Sequence, residues 1–294
     1  MSEKSTKENK QEKFIDIKKV FKDKNPTLYK LIPSFVINYL RRVVHEDQLN
    51  DFVSRHRDEY GLDFVDAIIR DFNANVHVEG LERISKDERY LVASNHPLGG
   101  LDGIAFMHVL GRVRQDLVFP VNDLLMNIEN LRPLFIPINK HGSNAENIRI
   151  INETFGSDKL LLYFPAGLVS RKQKGGVIRD IPWKKTFLSK AKRFKRHVIP
   201  VHINGRNTNF FYKLANLRKR LKIKANIEML YLVDETYKQY DKDIDIIISE
   251  PVDYHFFDRR HKDAEWALML QDYVYELPSG ETKSFVEWYN QKNK

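Results

Sequence analysis

From Val76 onward, short apolar runs alternate with stretches of helical periodicity, and this alternation restricts the chain to an α/β fold with helices on both sides of a central sheet. Val76 and Val78 mark a first strand. Further strands are expected at 90–93, 117–121, 134–138, 160–164, 198–203, 227–232 and 244–249. Helices are expected at 62–72, from Asp102, from about Ser143 or Asn144, and over 183–195, 210–219 and 262–275. The run 160–164 is continuously apolar, which suits a strand buried on both faces. The expected fold class is therefore mixed α/β with a mostly parallel sheet, and function is expected in loops at the carboxyl ends of its strands.

Four regions are expected. Residues 1–13 are nearly all polar and read as a disordered basic tail. Residues 14–73 read as an N-terminal helical extension, 74–276 as the main domain and 277–294 as a C-terminal tail. In the extension, Phe35, Val36, Tyr39, Leu40 and Val43 form an apolar stripe beside Arg41 and Arg42. That stripe suits either a helix packed on the domain or an interfacial membrane helix with snorkelling arginines. No apolar run reaches the roughly eighteen residues of a transmembrane helix, and the opening segment is too polar for a signal peptide. The expectation is a cytosolic protein, or one peripheral on a membrane.

The stretch Tyr90 to Phe106 carries the most chemistry. An apolar strand breaks at Ser94-Asn95-His96-Pro97, crosses Gly99-Gly100 and opens a helix at Asp102. Pro97 and the two glycines prevent His96 and Asp102 from sharing one regular helix, but a turn brings such residues together. A carboxylate on one imidazole nitrogen fixes the tautomer and leaves the other basic, which makes a general base for a hydroxyl. A histidine hydrogen-bonded at a turn for structural reasons is the alternative. Metal binding by His96, Asp102 and His108 finds no support in a recognisable ligand spacing.

Three more strand-end loops carry a cation or an imidazole. Phe164 to Arg171 contains Pro165, Gly167, Ser170 and Arg171; Pro137 to Gly142 contains Lys140; Pro200 to Asn207 contains His202 and Arg206. A guanidinium fork such as that of Arg171 suits a phosphate or carboxylate, although a solvated surface arginine is the plainer reading. Together the loops suggest an anion-binding pocket beside a base. There is no cysteine, which excludes disulfides, thiolate catalysis and Cys-ligated zinc. No Gly-x-Ser-x-Gly elbow, P-loop or dinucleotide-binding glycine fingerprint is present. The formal net charge is +9, and 171–224 holds eighteen Lys and Arg against one acid, Asp180. That imbalance suits anionic lipid headgroups, an acidic carrier protein or nucleic acid.

The order of these loops resembles the glycerolipid acyltransferases related to lysophosphatidate acyltransferase. The matching segments are Asn95-His96 to Asp102, Phe135 to Lys140, Phe164 to Arg171 and Ile199-Pro200-Val201. Two features depart from the common pattern: the His-to-Asp spacer has five residues rather than four, and Ala166 stands where the third motif carries an acid. The longer spacer, with Ser170-Arg171, Asp180, Trp183 and Gly205-Arg206-Asn207, is similar to the haemolysin-type branch, which includes O-acyltransferases making ornithine or glycine lipids. The resemblance implies the acyltransferase fold over 74–276 and transfer of a fatty acyl group from an acyl carrier protein or coenzyme A thioester to the hydroxyl of a lyso-lipid. It implies catalytic roles for His96 and Asp102, and acceptor or anion binding by Arg171, Lys140, Ser170 and Arg206. Loop geometry falls to Asn95, Gly99, Gly100, Pro165 and Gly167. It also implies no metal or cofactor, an anionic membrane surface rather than nucleic acid as partner, and a peripheral place on the cytoplasmic face of the inner membrane. A thioesterase, with His96 activating water, and a non-enzymatic basic binding protein are the alternative readings.

Overall fold

The computed structural model describes residues 13–24, 26–122, 125–137, 144–224, 226–280 and 284–294. The chain divides into two compact units, Met1–Arg57 and Asp58–Lys294. Lys140, Ser143 and nearly all of the expected tail 1–13 lie outside the described residues.

The smaller unit carries α1 (Ile17–Lys24), α2 (Pro26–Leu31), α3 (Ser34–Val43) and α4 (Glu46–Arg55). Pro33 precedes α3 at φ −60°, where its fixed ring angle and missing N–H cost a helix start nothing. Glu46, buried in the first turn of α4, accepts from Arg41 Nε at 3.0 Å and from the Ile17 amide at 3.0 Å, which ties three segments together. Of the apolar residues on α3, Ile37 and Val43 are buried while Phe35 and Tyr39 remain exposed. Among the described residues no helix is long and apolar enough to cross a membrane.

The larger unit begins earlier than the expected boundary at 74. Helix α5 (Leu62–Asp71) buries Phe64, Val65, Ala67 and Ile69, so it belongs to this unit's core rather than to an extension. It leads into β1 (Asn75–Glu79), β2 (Tyr90–Ser94), α6 (Leu101–Gly111), β3 (Phe119–Val121), β4 (Phe135–Pro137), α7 (Asn144–Gly156) and β5 (Leu161–Tyr163). The short pair β6 (Arg171–Lys172) and β7 (Ile178–Arg179) precedes α8 (Thr186–Arg193), β8 (His197–Ile203), α9 (Asn209–Arg220) and α10 (Leu232–Tyr237). The chain closes with β9 (Asp243–Ile248), α11 (Asp263–Glu276) and α12 (Phe285–Lys292).

The central sheet has the order β1-β9-β8-β2-β5, parallel at every step except β8 against β9. A bridge from Val118 to Leu161 brings the parallel pair β3 and β4 alongside β5. Every residue of β2 is buried, as a central strand covered on both faces requires. The ends of β2, β5 and β8 that point the same way therefore converge, and the loops after Ser94, Tyr163 and Ile203 open on one edge.

Two further expectations fail. The stretch 227–232 is not a strand: Ile227–Tyr231 is a 3-10 turn running into α10. Glu228 and Glu235 are both fully buried and paired, Glu228 with Arg171 and Arg218 and Glu235 with Lys238, contacts made by side chains and not by a strand ladder. The segment 277–294 is not a tail. Phe285, Trp288 and Tyr289 recur at the spacing of one helix face and pack with Trp266 and Tyr273 of α11 in the main core.

Candidate active site

Strand β2 ends at Ser94, and the next side chain anchors the turn. Asn95 donates Nδ2–H to the Ile203 carbonyl at 2.8 Å and accepts the Ile203 amide at 2.7 Å, which locks the loop to the end of β8. Gly99 sits at φ +88°, and a Cβ there would fall 2.6 Å from Val169 Cγ2, so conformation and packing both call for glycine.

The turn folds His96 onto Asp102. Nδ1 of His96 lies 2.9 Å from Asp102 Oδ2, and the same oxygen accepts the amides of Leu98 at 2.8 Å and Gly99 at 3.1 Å. Oδ1 takes the Gly103 amide at 2.8 Å, as suits a carboxylate in the first turn of α6. The loop amides thus draw the five-residue spacer closed around the carboxylate. Asp102 is fully buried, whereas the His96 side chain keeps 16% of its surface exposed. The Phe164 ring stacks on the imidazole at 4.0 Å between centroids and 18° between planes. Among the described residues Nε2 of His96 has no hydrogen-bond partner, so the nitrogen opposite Asp102 remains available.

Burial works against charge on both groups. It would lower the His96 pKa, but the charge and hydrogen bond of Asp102, helped by Asp180, hold it above 6.5. It would raise Asp102, but His96 and the loop amides hold that carboxyl below 3.8. A carboxylate paired with an imidazole of raised basicity is the arrangement a general base requires.

Asp180 forms a second layer behind the imidazole. Its Oδ1 accepts the His96 amide at 3.2 Å and the Ser170 hydroxyl at 2.6 Å, and its Oδ2 accepts the Trp183 indole N–H at 2.9 Å. Burial pushes this carboxyl above 3.8 despite those donors. Ser170 in turn donates its amide to the His96 carbonyl at 2.7 Å. Ser170 is buried in this linkage, which gives it a holding role. Asp180 was legible as the single acid in a basic block and as part of the haemolysin-type pattern, but with no role attached; Tyr275, whose hydroxyl accepts the Asp180 amide at 2.7 Å, left no signal beyond an aromatic on a helix.

The expected anion-binding residues divide. Arg171 stands close enough for its charge to oppose protonation of His96. Its guanidinium is already engaged, donating to the Val169 carbonyl at 2.9 Å and to Glu228 at 3.1 Å and lying 5.2 Å from the Phe211 ring centre. Glu228, which sequence reasoning missed inside a supposed strand, also faces Arg218 at 2.8 Å. Arg206 is exposed and bonds Asn209. Its neighbour Asn207 reaches the Pro97 and Leu98 carbonyls, so that loop borders the His96 turn. Pro165 and Gly167 shape the turn beneath Phe164, where the Pro165 carbonyl accepts the Lys184 amide and Gly167 sits at φ +66°. Gly100 lies so close to Thr236 that a Cβ would stand 2.9 Å from its Oγ1.

The basic block is less available than its composition implies. Arg196 is fully buried, its guanidinium donating to the carbonyls of Tyr90, Lys159 and Phe155, and burial lowers its pKa to about 10. Lys190 and Lys192 of α8 are held by Asn152 and Asp263.

A family model described as Acyltransferase matches residues 19–261. A lyso-glycine lipid O-acyltransferase of Bacteroides thetaiotaomicron is 46% identical over 265 residues, spanning 90% of this chain and 97% of that protein. One of the same name from Phocaeicola vulgatus is 44% identical over 265 residues, spanning 90% of this chain and 95% of its own. Among solved structures, the 1-acyl-sn-glycerophosphate acyltransferase PlsC of Thermotoga maritima superimposes with a TM-score of 0.46 at 19% identity, over 73% of this chain and 81% of that one.

Proposed function

Since the chain belongs to the acyltransferase family, we propose that it transfers a fatty acyl group from a thioester, carried by acyl carrier protein or coenzyme A, to the hydroxyl of a lyso-glycine lipid. The observation that carries the mechanism is the 2.9 Å contact of His96 Nδ1 with a fully buried Asp102, which leaves Nε2 open at the partly exposed edge of the ring. In this reading Nε2 takes the acceptor's hydroxyl proton while the oxygen attacks the thioester carbonyl. The tetrahedral adduct collapses by breaking the carbon–sulfur bond, and the imidazolium returns its proton to the departing thiolate. No acyl-enzyme forms. Asp102 supports the imidazolium and fixes the tautomer, a contribution of about 10²–10⁴-fold for a positioned base.

Two relatives named for lyso-glycine lipid favour an acceptor that ends in a carboxylate. The surroundings of Arg171, whose charge reaches His96, support this: Arg171 and Arg218 share a single buried acid, Glu228, so the trio carries one net positive charge. A singly charged headgroup matches that balance better than a phosphomonoester. Working on such lipids from a basic surface, the enzyme acts as a peripheral protein at an anionic membrane, on the cytoplasmic side where thioester donors are available.

The test is to incubate purified protein with labelled acyl carrier protein or acyl-coenzyme A and to offer lyso-glycine lipid and lysophosphatidate side by side. Ester product from the glycine lipid is expected, with little from lysophosphatidate. Free fatty acid without ester would identify a thioesterase and overturn the reading.

A further inference from the structure

Helix α9 has two apolar faces, and only one is used by the core. Phe211 and Tyr212 are buried against Val169 and Leu232, and Ala215 is buried as well. On the opposite side Phe210, Leu214, Leu217 and Leu221 follow at steps of four, three and four residues, which places them within about 60° of one another around the helix axis. Three of its residues remain in solvent, with Leu214 half-buried between them: Phe210 is 49%, Leu217 52% and Leu221 60% exposed, and Leu230 on the adjacent turn is 51% exposed. Leaving three large apolar side chains in line on one helix face, with a fourth beside them, is costly in water unless something covers them.

The charge around the stripe identifies the cover. Between Asn209 and Lys224 there is no Asp or Glu, and Lys213, Lys219, Arg220, Lys222 and Lys224 are all exposed. Lys213 and Arg220 border the stripe directly, three residues after Phe210 and three after Leu217. An apolar seam edged by cations on a helix too short and too charged to span a bilayer suits the headgroup and acyl boundary of an anionic membrane.

The helix also borders the chemistry. The Tyr212 hydroxyl accepts the Asn207 amide at 2.9 Å, and Asn207 Nδ2 donates to the Pro97 and Leu98 carbonyls beside His96. The Phe211 ring carries the Arg171 guanidinium. We infer that the exposed face of α9 docks on an anionic bilayer, its apolar stripe seated in the interface, so that a lipid acceptor passes from the membrane to the His96 loop along the side of this helix. The inference rests on the acceptor being a lipid; docking itself is read without any acyl transfer.

The chain has no cysteine, so one introduced thiol reports a single site. Full-length Leu217→Cys protein is labelled with an environment-sensitive nitrobenzoxadiazole dye and mixed with vesicles containing phosphatidylglycerol. Asp158→Cys, whose side chain is 90% exposed and which precedes β5 at the sheet edge away from His96, serves as the reference position. A blue shift with several-fold brightening at 217 and none at 158 is expected, fading in high salt. Unlabelled Leu217→Glu/Leu221→Glu protein is expected to bind the vesicles at least tenfold more weakly while still acylating a short-chain soluble acceptor. No spectral change at 217 while the protein sediments with the vesicles overturns the assignment. So does a response to an acidic carrier protein in place of vesicles. Failure of acyl transfer with the dye response intact would instead strike the catalytic reading.

Discussion

The backbone amide of His96 donates to Asp180 Oδ1 at 3.2 Å across 84 residues of sequence, and the His96 carbonyl accepts from Ser170, whose hydroxyl bonds the same Asp180 oxygen. The loop after β2 and the loop after β5 are therefore joined behind the imidazole, and the His96 backbone is held at both its amide and its carbonyl.

Asp180→Asn replaces an acceptor with an amide that cannot satisfy Ser170, Trp183 and the His96 amide together. A small displacement of the base is expected to lower kcat about tenfold or more, with KM little changed. The negative charge that helps raise His96 is also removed, so the apparent pKa of kcat/KM should move down. Steady-state kinetics across pH reads both effects; loss of stability alone would move neither the pKa nor kcat per folded molecule.

Removing the proposed base is expected to be more severe. His96→Ala is expected to lower kcat by about 10²–10⁴-fold while leaving the far-ultraviolet circular dichroism unchanged. Asp102→Asn should approach the same loss, because an amide at this position no longer fixes the tautomer or supports the imidazolium. Wild-type turnover in His96→Ala protein would remove His96 from the mechanism.

The pH profile follows from the directions of the two shifts. In the proposed mechanism His96 serves as a base only when neutral, and its pKa is held above 6.5, so kcat/KM should rise with pH through a midpoint above that value. In Asp102→Asn the residual activity should show a lower midpoint. The same shifts bear on stability. The raised His96 contributes stability fully below about 6.5 that is lost as pH rises through its folded pKa; the depressed Asp102 contributes stability above about 3.8 that is lost as pH falls through its own. Rate profiles and thermal melts recorded on one buffer series separate the two consequences.

His202 has the opposite sign. It is buried at the end of β8, donates Nδ1–H to the Val274 carbonyl at 3.0 Å, and burial lowers its pKa to about 4. Below about pH 6.5 the unfolded chain takes up a proton that the folded chain refuses, so stability should fall between pH 6.5 and 4 by at most about 3 kcal/mol. His202→Asn keeps a donor toward Val274 and should flatten that part of the curve in urea titrations. An unchanged slope would show that other groups govern the acid limb.

The α/β alternation, the fully apolar strands and the His96 turn were legible because each depends on local pattern: β2 and β8 read as apolar runs, and Pro97, Gly99 and Gly100 mark the turn. What escaped depends on long-range burial. Glu228 looked like one polar residue in an apolar run, and only contact with Arg171 and Arg218, distant in sequence, makes a helical turn the better solution. Arg196 looked like surface charge in a basic block, whereas its guanidinium caps carbonyls of three segments. Helix α12 was missed because its aromatics lie near the end of a polar stretch, and nothing local reveals the α11 aromatics they meet.

Glu228 gives a prediction that joins stability to selectivity. The residue is fully buried, with Arg171 at 3.1 Å on one oxygen and Arg218 at 2.8 Å on the other. Breaking a buried pair leaves uncompensated charge, so Glu228→Gln should cost about 3 kcal/mol in chemical denaturation. Adding Arg171→Gln should recover part of that cost, since one unpaired cation is removed with it; a strictly additive double variant would mean that the pair is not coupled. The single variant also raises the net charge of the trio from one positive to two, and Arg171 is the member whose charge reaches His96. If the trio sets acceptor choice, the ratio of kcat/KM for lysophosphatidate over lyso-glycine lipid should rise several-fold in Glu228→Gln, even as total activity falls. An unchanged ratio would confine Glu228 to holding Arg171 in place.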